Sequence, residues 1–498
     1  MGKAKATHEA NRSSMSAPVE MDVLVVGAGL SGIAAGYYLS HRLPHKRFAI
    51  LEARDSLGGT WDLFRYPGVR SDSDMHTLGY SFRPWNGDIA LADGPSIKAY
   101  IAETARAYGL DRHIRYGRRV VRAAWCSEQA VWTVTAVTST GENEIYRCRF
   151  LFMCSGYYDY ERGYLPQWAE MDRFQGPIVH PQAWPGDLEY RDAQVVVIGS
   201  GATAVTIVPA MAAQAAHVTM LQRSPTYVVS LPRRDAVARW IYRFAPRRIA
   251  HGLVRWKYVL LQMFFYAFMR AFPQRAKKRI TGLVAQELGA HYDVATHFTP
   301  RYNPWDQRLC LVPDGDLFAA IRSGRASVVT GEIERFVSDG IVLKSGAHLR
   351  ADVVVAATGL QLKLFGDMQL CVDGREIDMA EQVAYKGMML CDVPNFGWAL
   401  GYTNASWTLK CELTARYVCR LIEHLDRNGY AYAQPKRPDR SIGLEPAISL
   451  TSGYIQRAIA KLPKQAARAP WKLYQNYALD LASLRFGRLD DGVMEFVR

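Results

Sequence analysis

The sequence predicts an α/β fold built from two Rossmann-like domains, the second inserted into a discontinuous first. Two glycine-rich loops predict it, because each follows an apolar strand-like run and opens a helix-like segment. The loops are Val23-Leu-Val-Val-Gly-Ala-Gly-Leu-Ser-Gly32 and Val195-Val-Val-Ile-Gly-Ser-Gly-Ala-Thr-Ala204. Strands and helices that alternate in this way favour a parallel sheet. The length of 498 residues supports the division, since one core rarely grows that large.

The predicted domain order follows from where the loops lie. It comprises a disordered tail over 1–20, the first part of the first domain over 21–160, a linker over 161–190, the second domain over 191–345 with a basic helical insert over 233–290, and the rest of the first domain with the C-terminal region over 346–498. The tail is polar and basic without an apolar core, so we do not expect a secretory signal.

Composition is that of a globular protein, with 49% hydrophobic and 22% charged residues. The eight cysteines form no C-x-x-C pair and no cluster at zinc spacing, so we expect reduced core thiols and no metal site. This usage is typical of a cytoplasmic protein.

The first loop carries the whole dinucleotide-binding context. Gly27, Gly29 and Gly32 allow a tight turn and close backbone approach, and the following helix points its N-terminus at a pyrophosphate. The second strand, Phe48-Ala-Ile-Leu51, ends in Glu52, which accepts hydrogen bonds from a ribose diol and repels a 2′-phosphate. This site therefore suits FAD or NAD rather than NADP.

Three later runs predict further strands. Val131–Val137 alternates in polarity and indicates an antiparallel insert, while Phe150–Cys154 is typical of a buried strand. The run Val353-Val-Val-Ala-Ala357 is a candidate for returning the chain to the first sheet.

The second loop has the G-x-G-x-x-A form, and its second strand ends in Gln222-Arg223-Ser224 instead of an acid. A guanidinium and a hydroxyl at that point fit a 2′-phosphate, so NADPH is preferred over NADH. The alternative for Arg223 is an ordinary surface salt bridge.

The net charge of +14 is concentrated in one block. Between Arg233 and Arg279 there are 13 Lys/Arg and one acid, Asp235, which gives +12. The block encloses twelve residues, Tyr258–Met269, which are too short an apolar run to span a bilayer. Two interpretations stay open: peripheral contact through 233–279 with the inner face of the cell membrane, or a buried helix with a solvated basic rim. Nucleic acid is not expected, because no binding module accompanies the charge.

Two short motifs carry the resemblance to a family. The segment Gly58–Asp72, with its Gly-Gly pair and aromatic residues, and the segment Phe174-Gln-Gly-Pro-Ile-Val-His-Pro-Gln-Ala-Trp-Pro185 resemble signatures of the Baeyer–Villiger flavoprotein monooxygenases. The segments Asn303–Pro313 and Gly401–Leu409 resemble a branch of that family that oxidises thioamide prodrugs. The resemblance extends from about Asp22 to the C-terminus.

The resemblance implies FAD and NADPH as cofactors and O₂ as co-substrate, with oxygen inserted next to the carbonyl of a hydrophobic ketone. It implies catalytic roles for Arg308, which would stabilise the anionic oxygen species, and for Asp72, which would orient it. An arginine suits this role because it stays charged in a water-poor pocket.

The resemblance also implies two sets of cofactor contacts. The flavin set is Ser31, Glu52, Thr60, Trp61, Asp62, Leu63, Asp72 and Val120, in addition to the loop glycines. The nicotinamide set is Arg70, Ser71, Gly199, Ser200, Gly201, Ala202, Thr203, Ala204, Val205, Arg223 and Ser224.

His180 has no evident carboxylate partner, so we favour a structural role coupling the two domains over that of a general base. The aromatic residues Trp398, Tyr402 and Trp407 suit either a hydrophobic substrate pocket or the core.

Three alternatives are open or excluded. A flavin monooxygenase specialised in sulfur or nitrogen oxidation would use the same cofactors, and thioethers or thioamides are possible substrates alongside ketones. A non-catalytic flavin-binding sensor is a more remote alternative. A disulfide reductase is disfavoured by the absence of C-x-x-C. The sequence leaves the oligomeric state open, a homo-oligomer included.

Overall fold

The computed structural model describes residues 17–86 and 89–498, and it confirms an α/β fold with two main sheets, the first parallel at its centre and the second parallel throughout. Residues 1–16 of the expected disordered tail lie outside the described residues. The end of the predicted tail is not disordered, since the first strand begins at Val19. Val19 and Met21 already pair with Tyr146 and Cys148 of a neighbouring strand, which extends the sheet into the tail.

The first sheet has nine strands in the described chain. Its parallel centre contains Val19–Val26 between Phe48–Leu51 and Asn143–Met153. The full set is Val19–Val26, Phe48–Leu51, Ile114–Arg115, Arg118–Cys126, Val131–Thr138, Asn143–Met153, Gln369–Val372, Arg375–Glu376 and Phe396–Trp398.

The predicted antiparallel insert is confirmed. Val131–Thr138 pairs antiparallel with Arg118–Cys126 on one side and with the first half of Asn143–Met153 on the other. The second half of Asn143–Met153 is the predicted buried strand, and it runs parallel to Val19–Val26. One long strand thus joins the insert to the parallel sheet.

The second sheet has five parallel strands in the described chain: Ile178–Val179, Gln194–Ile198, His217–Gln222, Ala326–Thr330 and Val353–Ala356. The expectation that the Val353 strand returns to the first sheet is wrong, because Val353–Ala356 pairs with Gln194–Ile198 and with Ile178–Val179. An all-apolar strand fits the centre of either parallel sheet, so its sequence cannot select one. The predicted linker likewise contributes a strand to the second sheet.

The chain returns to the first sheet further on, through Gln369–Val372 and Phe396–Trp398. Smaller sheets are formed by Val228–Leu231 with Cys310–Pro313, Ile333–Val337 with Gly340–Leu343 and His348–Arg350, Ala384–Tyr385 with Met389–Leu390, Tyr432–Pro435 with Met494–Val497, and Leu444–Pro446 with Lys464–Ala466.

The helices pack against both sheets. They are Leu30–Arg42, Thr60–Leu63, Met75–Leu78, Gly94–Ala107, Ala202–Met211, Ala236–Phe244, Arg247–Ala271, Pro273–Leu288, Val294–Phe298, Asp316–Arg322, Trp407–Asn428, Gly453–Ala458 and Tyr477–Asp480. Trp407–Asn428 is buried along most of its length and packs on Leu30–Arg42.

The predicted basic insert is helical, as expected. Its three helices, Ala236–Phe244, Arg247–Ala271 and Pro273–Leu288, lie between Val228–Leu231 and Cys310–Pro313, and we call residues 236–288 the helical insert. The inner side of Arg247–Ala271 is buried, whereas Phe264 on its other side is 62% exposed. The interpretation as a buried helix with a solvated basic rim therefore holds only for the inner side, because the other side exposes apolar side chains as well. No helix in residues 17–86 and 89–498 is both long and apolar enough to cross a membrane.

Two histidines lie in the contact between the helical insert and the first domain. His76 and His251 are 4% and 7% exposed. The Nδ1 atom of His76 and both ring nitrogens of His251 lack hydrogen-bond partners among the described residues. Burial lowers the pKa of each ring to about 4.

These rings predict acid destabilisation. The unfolded chain binds protons at histidine below a pH of about 6.5, whereas the folded protein resists protonation of these rings until about pH 4. Stability should therefore fall as the pH drops through that window. The melting temperature of wild type should fall between pH 7 and pH 5. In His251→Leu we expect this fall to be a few degrees smaller, because one of the two buried rings is gone. Thermal denaturation monitored by circular dichroism measures this, and exposed His291→Leu is the control. Equal losses in all three proteins would contradict the role of His251.

Candidate active site between the two glycine-rich loops

A cavity of about 840 Å³ lies between the two domains. Its walls come from the segment after Gly59, from the second glycine-rich loop and from the chain around Arg308. Of the residues expected in the site, the wall contains Thr60, Trp61, Arg70, Ser71, Asp72, Gly199, Ser200, Gly201, Ala202, Thr203, Arg223, Ser224 and Arg308. Sequence segments far apart in the chain thus meet at one cavity.

The first glycine-rich loop has the geometry of a phosphate cradle. Gly27 has φ +105°, and a Cβ there would lie 2.6 Å from the carbonyl oxygen of Cys154. A Cβ on Gly32 would lie 1.8 Å from the Gly27 oxygen. Helix Leu30–Arg42 begins without a side-chain cap or an early acidic residue, so its first N–H groups are available to an anion.

The Gly58–Gly59 pair crosses this loop at close range. Gly59 has φ +57°, and a Cβ there would lie 3.1 Å from the Cα of Gly29. Nearby, the Ser155 hydroxyl is buried and has no partner among the described residues. Close backbone approach and an unpartnered hydroxyl fit a flavin dinucleotide on this loop.

Glu52 lies where a ribose acceptor is expected, at the end of the second strand. Its carboxylate accepts hydrogen bonds from the Ala28 N–H at 2.8 Å and the Arg54 N–H at 3.0 Å. Burial raises the pKa of Glu52, and the two N–H donors oppose that shift. The carboxylate is therefore held beside the loop before any ligand arrives.

Other members of the expected flavin set are already engaged within the protein. The Ser31 hydroxyl accepts from the Trp407 indole at 2.9 Å and lies 3.2 Å from the Cys411 sulfur. Leu63 and Val120 are buried. These residues lie outside the cavity wall, as do Gly27, Gly29, Gly32, Glu52 and Asp62.

Asp62 forms a buried ion-pair centre. Its carboxylate lies 2.6 Å from an Arg54 nitrogen and 2.5 Å from the Lys98 nitrogen. Although burial disfavours its charge, the hydrogen bonds from Lys98 and Arg54 lower the pKa of Asp62 to about 2. The side chain therefore holds the Gly58–Leu63 segment in place.

The second loop faces the cavity more openly. Gly199 has φ +141°, and a Cβ there would lie 2.3 Å from the Ala357 oxygen. No atom of the described chain lies within 4 Å of a Cβ on Gly201. Helix Ala202–Met211 also begins without a side-chain cap or an early acidic residue. The side chains of Ala204 and Val205 point into the core, at 0% and 1% exposure, so only their backbone serves a ligand.

Arg223 and Ser224 lie at the exposed end of the second strand, in the cavity wall. Arg223 forms no ion pair among the described residues, which disfavours the surface salt bridge. The Lys344–Glu332 pair at 2.6 Å also lines this part of the wall, and sequence reasoning missed it. Glu332 directly precedes strand Ile333–Val337 and Lys344 directly follows strand Gly340–Leu343, so only the fold of this small antiparallel sheet brings them to the loop.

Asp72 and Arg308 meet across the cavity. A guanidinium nitrogen of Arg308 lies 3.0 Å from a carboxylate oxygen of Asp72, and about a third of each side chain is exposed. The Asp72 carboxylate raises the pKa of Arg308 further above its usual value, so the guanidinium stays charged. The pair therefore presents a fixed cation whose orientation is set by a carboxylate.

Arg70 and Ser71 have partners within the protein. Arg70 forms a two-point ion pair with Asp316, at 2.5 and 3.2 Å. The Ser71 hydroxyl donates to the Ser73 carbonyl oxygen and accepts from the Ser73 N–H. Both line the cavity, and their contacts fix the chain on either side of Asp72.

His180 joins the linker to the second sheet. Its Nδ1 accepts from the Gln182 N–H at 3.2 Å, so Nε2 carries the proton that is donated to the Gly359 oxygen at 3.1 Å. Burial lowers the pKa of His180. Gly163 lies against the ring, since a Cβ there would be 1.8 Å from it. These contacts favour the structural interpretation.

Several aromatic residues of the wall were missed from the sequence. Tyr158, Tyr164, Trp168 and Tyr454 line the cavity, and the Arg457 guanidinium lies 3.6 Å from the centre of the Tyr164 ring. Tyr158 follows the predicted Phe150–Cys154 strand by four residues, and this position at the end of a parallel strand was the signal that could have placed it in the site. Trp398 and Tyr402 are 3% and 5% exposed and belong to the core instead.

Comparison with known proteins gives two partial family matches. Residues 25–86 match the NAD(P)-binding Rossmann-like domain, and residues 99–230 match the L-lysine 6-monooxygenase/L-ornithine 5-monooxygenase family. Among the described residues, no group of three His, Cys, Asp or Glu side chains is arranged to hold a metal ion.

Whole-chain similarity extends further. The chain is 51% identical to the FAD-containing monooxygenase EthA of Mycobacterium tuberculosis, over 96% of this chain and 98% of EthA. The fold resembles a steroid monooxygenase bound to NADP (TM-score 0.75, 23% identity, 96% and 100% coverage). It also resembles cyclohexanone monooxygenase (TM-score 0.75, 20% identity, 96% and 100% coverage).

Proposed function

The chain belongs to the family of FAD-containing monooxygenases that includes EthA, and we propose that it is a Baeyer–Villiger enzyme dependent on FAD and NADPH. It inserts one oxygen atom of O₂ next to the carbonyl of a hydrophobic ketone, giving an ester or lactone. It also oxidises sulfur in thioethers or thioamides. The eight free cysteines support a cytoplasmic setting, where thiols stay reduced.

One observation carries the proposal: the Arg308–Asp72 pair lies in the wall of a cavity that is lined by the second glycine-rich loop and by Thr60 and Trp61, which follow the Gly58–Gly59 pair that crosses the first loop. Oxygen insertion next to a carbonyl develops negative charge on oxygen, and a pre-oriented guanidinium stabilises that charge best where water is scarce. The wall supplies such surroundings through Trp61, Phe64, Tyr158 and Tyr454.

The cofactors have distinct places in this proposal. FAD, held by Gly27, Gly29, Gly32 and Glu52, supplies the reduction of O₂ when bound. Gly199, Gly201 and the start of helix Ala202–Met211 hold the nicotinamide dinucleotide, and Arg223 holds its 2′-phosphate. Arg308 would stabilise negative charge that develops on oxygen in the cavity, and Asp72 would keep the guanidinium aimed into it.

Oxidation of sulfur or nitrogen alone is the second candidate function. The match of residues 99–230 to the lysine and ornithine monooxygenase family favours it. Electrophilic attack on a sulfur or amine nitrogen forms no charged carbonyl adduct, so it depends less on the Arg308–Asp72 pair. Dependence on that pair therefore distinguishes the two functions.

The reaction itself is tested with labelled oxygen. We expect purified protein with NADPH and ¹⁸O₂ to convert an aryl methyl ketone to an ester that carries one ¹⁸O atom. Mass spectrometry of the product measures this, and a thioether is assayed in parallel. Formation of sulfoxide with unchanged ketone would contradict the Baeyer–Villiger assignment.

Arg308→Ala tests the catalytic cation. The variant should still be reduced by NADPH, but ester formation should fall by about 10²–10³-fold or more, because the developing oxyanion loses its counter-charge. Oxygen uptake should then appear as hydrogen peroxide. Stopped-flow absorbance, product analysis and a peroxide assay measure the three steps. Arg301→Ala, an exposed arginine nearby in the chain, is the control. Undiminished ester formation in Arg308→Ala would remove Arg308 from catalysis.

Arg223→Ala tests the choice of nicotinamide cofactor. Loss of a charge-assisted contact to the 2′-phosphate should weaken NADPH by about 1–3 kcal/mol, or roughly 5- to 160-fold in KM, with little change for NADH. Steady-state kinetics with both cofactors measures the difference. Arg325→Ala, exposed in the same domain, should change neither value. An equal loss with NADPH and NADH would contradict binding of the 2′-phosphate by Arg223.

A further inference from the structure

The helical insert carries most of the exposed large apolar side chains of the described residues. Twelve of the seventeen lie on it: Val237, Trp240, Phe244, Ile249, Leu253, Trp256, Leu260, Leu261, Phe264, Phe265, Phe272 and Leu283. Trp240, Phe244 and Phe264 are more than 60% exposed. Isolated exposed apolar side chains are ordinary, but a concentration of this kind marks a contact surface.

Eight of these side chains form two apolar rows, one along each of the first two helices of the insert. On helix Arg247–Ala271 they recur at 249, 253, 256, 260 and 264, a spacing of three to four residues that puts them on one side over about 22 Å. On helix Ala236–Phe244 they recur at 237, 240 and 244. The Trp240 and Phe244 rings lie 5.4 Å apart. We call these two rows the outer face of the helical insert.

Exposed cations border the outer face. The exposed basic residues of the insert are Arg239, Arg243, Arg247, Arg248, Arg270, Arg275, Lys278 and Arg279. Arg243 and Arg275 each lie beside an aromatic ring, of Phe244 at 5.8 Å and of Phe272 at 5.4 Å. Apolar and basic side chains are thus interleaved in one surface.

The inner face of helix Arg247–Ala271 is held against the first domain by hydrogen bonds. Arg255 is 8% exposed and donates to the His76 and Gly79 carbonyl oxygens and, at 2.9 Å, to Glu412. Gln262 donates to Asp74 at 2.9 Å. The outer face is therefore the surface of a docked helix, and it is presented in a fixed orientation.

We propose that the outer face of the helical insert docks onto an anionic lipid bilayer. The helices lie parallel to the surface, with Trp240, Leu260 and Phe264 inserted at the headgroup boundary and the arginines on lipid phosphates. An apolar stripe with tryptophan and a basic border is the pattern that binds such an interface. This docking is independent of the reaction proposed above.

Charge selects the bilayer over a second copy of the chain. A symmetric dimer through this face would bring the two basic borders together, since the same patch serves both subunits. Like charges in contact oppose such an interface. Anionic headgroups instead attract the exposed arginines of the border other than Arg270, which is paired with Asp306.

The test is sedimentation of the full-length flavoprotein with vesicles. We expect binding to vesicles of equal parts phosphatidylcholine and phosphatidylglycerol, weak binding to phosphatidylcholine alone, and loss of binding at about 1 M salt. The double variants Trp240→Ser/Phe264→Ser and Arg243→Glu/Arg247→Glu should each bind about tenfold or more weakly. Tryptophan emission of wild type should shift to shorter wavelength on binding.

Matched controls separate this surface from general effects. Leu444→Ser/Phe486→Ser removes two exposed apolar side chains elsewhere, and Arg119→Glu/Arg488→Glu makes the same charge change outside the insert. Both should bind as wild type does. All variants should keep wild-type flavin content and activity on a water-soluble substrate, which shows that they fold.

Three outcomes would overturn the proposal. In the first, wild type fails to sediment with anionic vesicles, and in the second, the insert variants bind as well as wild type does. The third outcome is a dimer, seen by analytical ultracentrifugation, that Trp240→Ser/Phe264→Ser converts to monomer while vesicles are not bound. A second copy would then cover the outer face.

Discussion

One buried carboxylate ties together the segments on which this structure depends. Glu412 accepts hydrogen bonds from the Tyr38 hydroxyl, from the N–H and hydroxyl of Ser81, and from Arg255. These donors come from the first helix, the segment after Asp72 and the helical insert of the second domain. Removing one partner from such a buried pair leaves an uncompensated charge, at a cost of about 3–5 kcal/mol. The insert is therefore anchored to the first domain through a buried ion pair as well as through the chain that joins it to the second domain.

In the described chain the helical insert does not line the cavity, but two further contacts connect it to the candidate site. Asp74, two residues after Asp72, caps the short helix Met75–Leu78 and accepts from Gln262 of the insert. Asp306, two residues before Arg308, pairs with Arg270 of the insert at 2.9 Å. The insert thus contacts chain next to each member of the Asp72–Arg308 pair. It therefore links the two segments of the cavity wall that carry Asp72 and Arg308.

Sequence reasoning succeeded where local chemistry decides the outcome. The glycine loops were predicted because only glycine fits at positions such as Gly27 and Gly199, and Glu52 because it closes a strand–turn–helix–strand unit. It failed for the Val353 strand, since two parallel sheets accept the same apolar run. The Glu412–Arg255 pair and the Tyr164–Arg457 contact left no signal, because their partners are far apart in the sequence. For the insert, apolar periodicity located a helix but did not show that its exposed side carries apolar side chains while its buried side is held by Arg255 and Gln262.

The two glycine-rich loops differ in a way that their motifs do not reveal. The first is crossed by Gly58–Gly59, and the Glu52 carboxylate beside it is buried and already hydrogen-bonded. The second opens onto the cavity, and Arg223 is exposed and without an ion-pair partner among the described residues. A ligand on the first loop would be enclosed by the chain, whereas a ligand on the second loop could leave and be replaced from solution. A cofactor that stays bound needs the first kind of site, and a cofactor that is consumed in each cycle needs the second. The burial of Glu52 and the exposure of Arg223 establish this difference before either ligand binds.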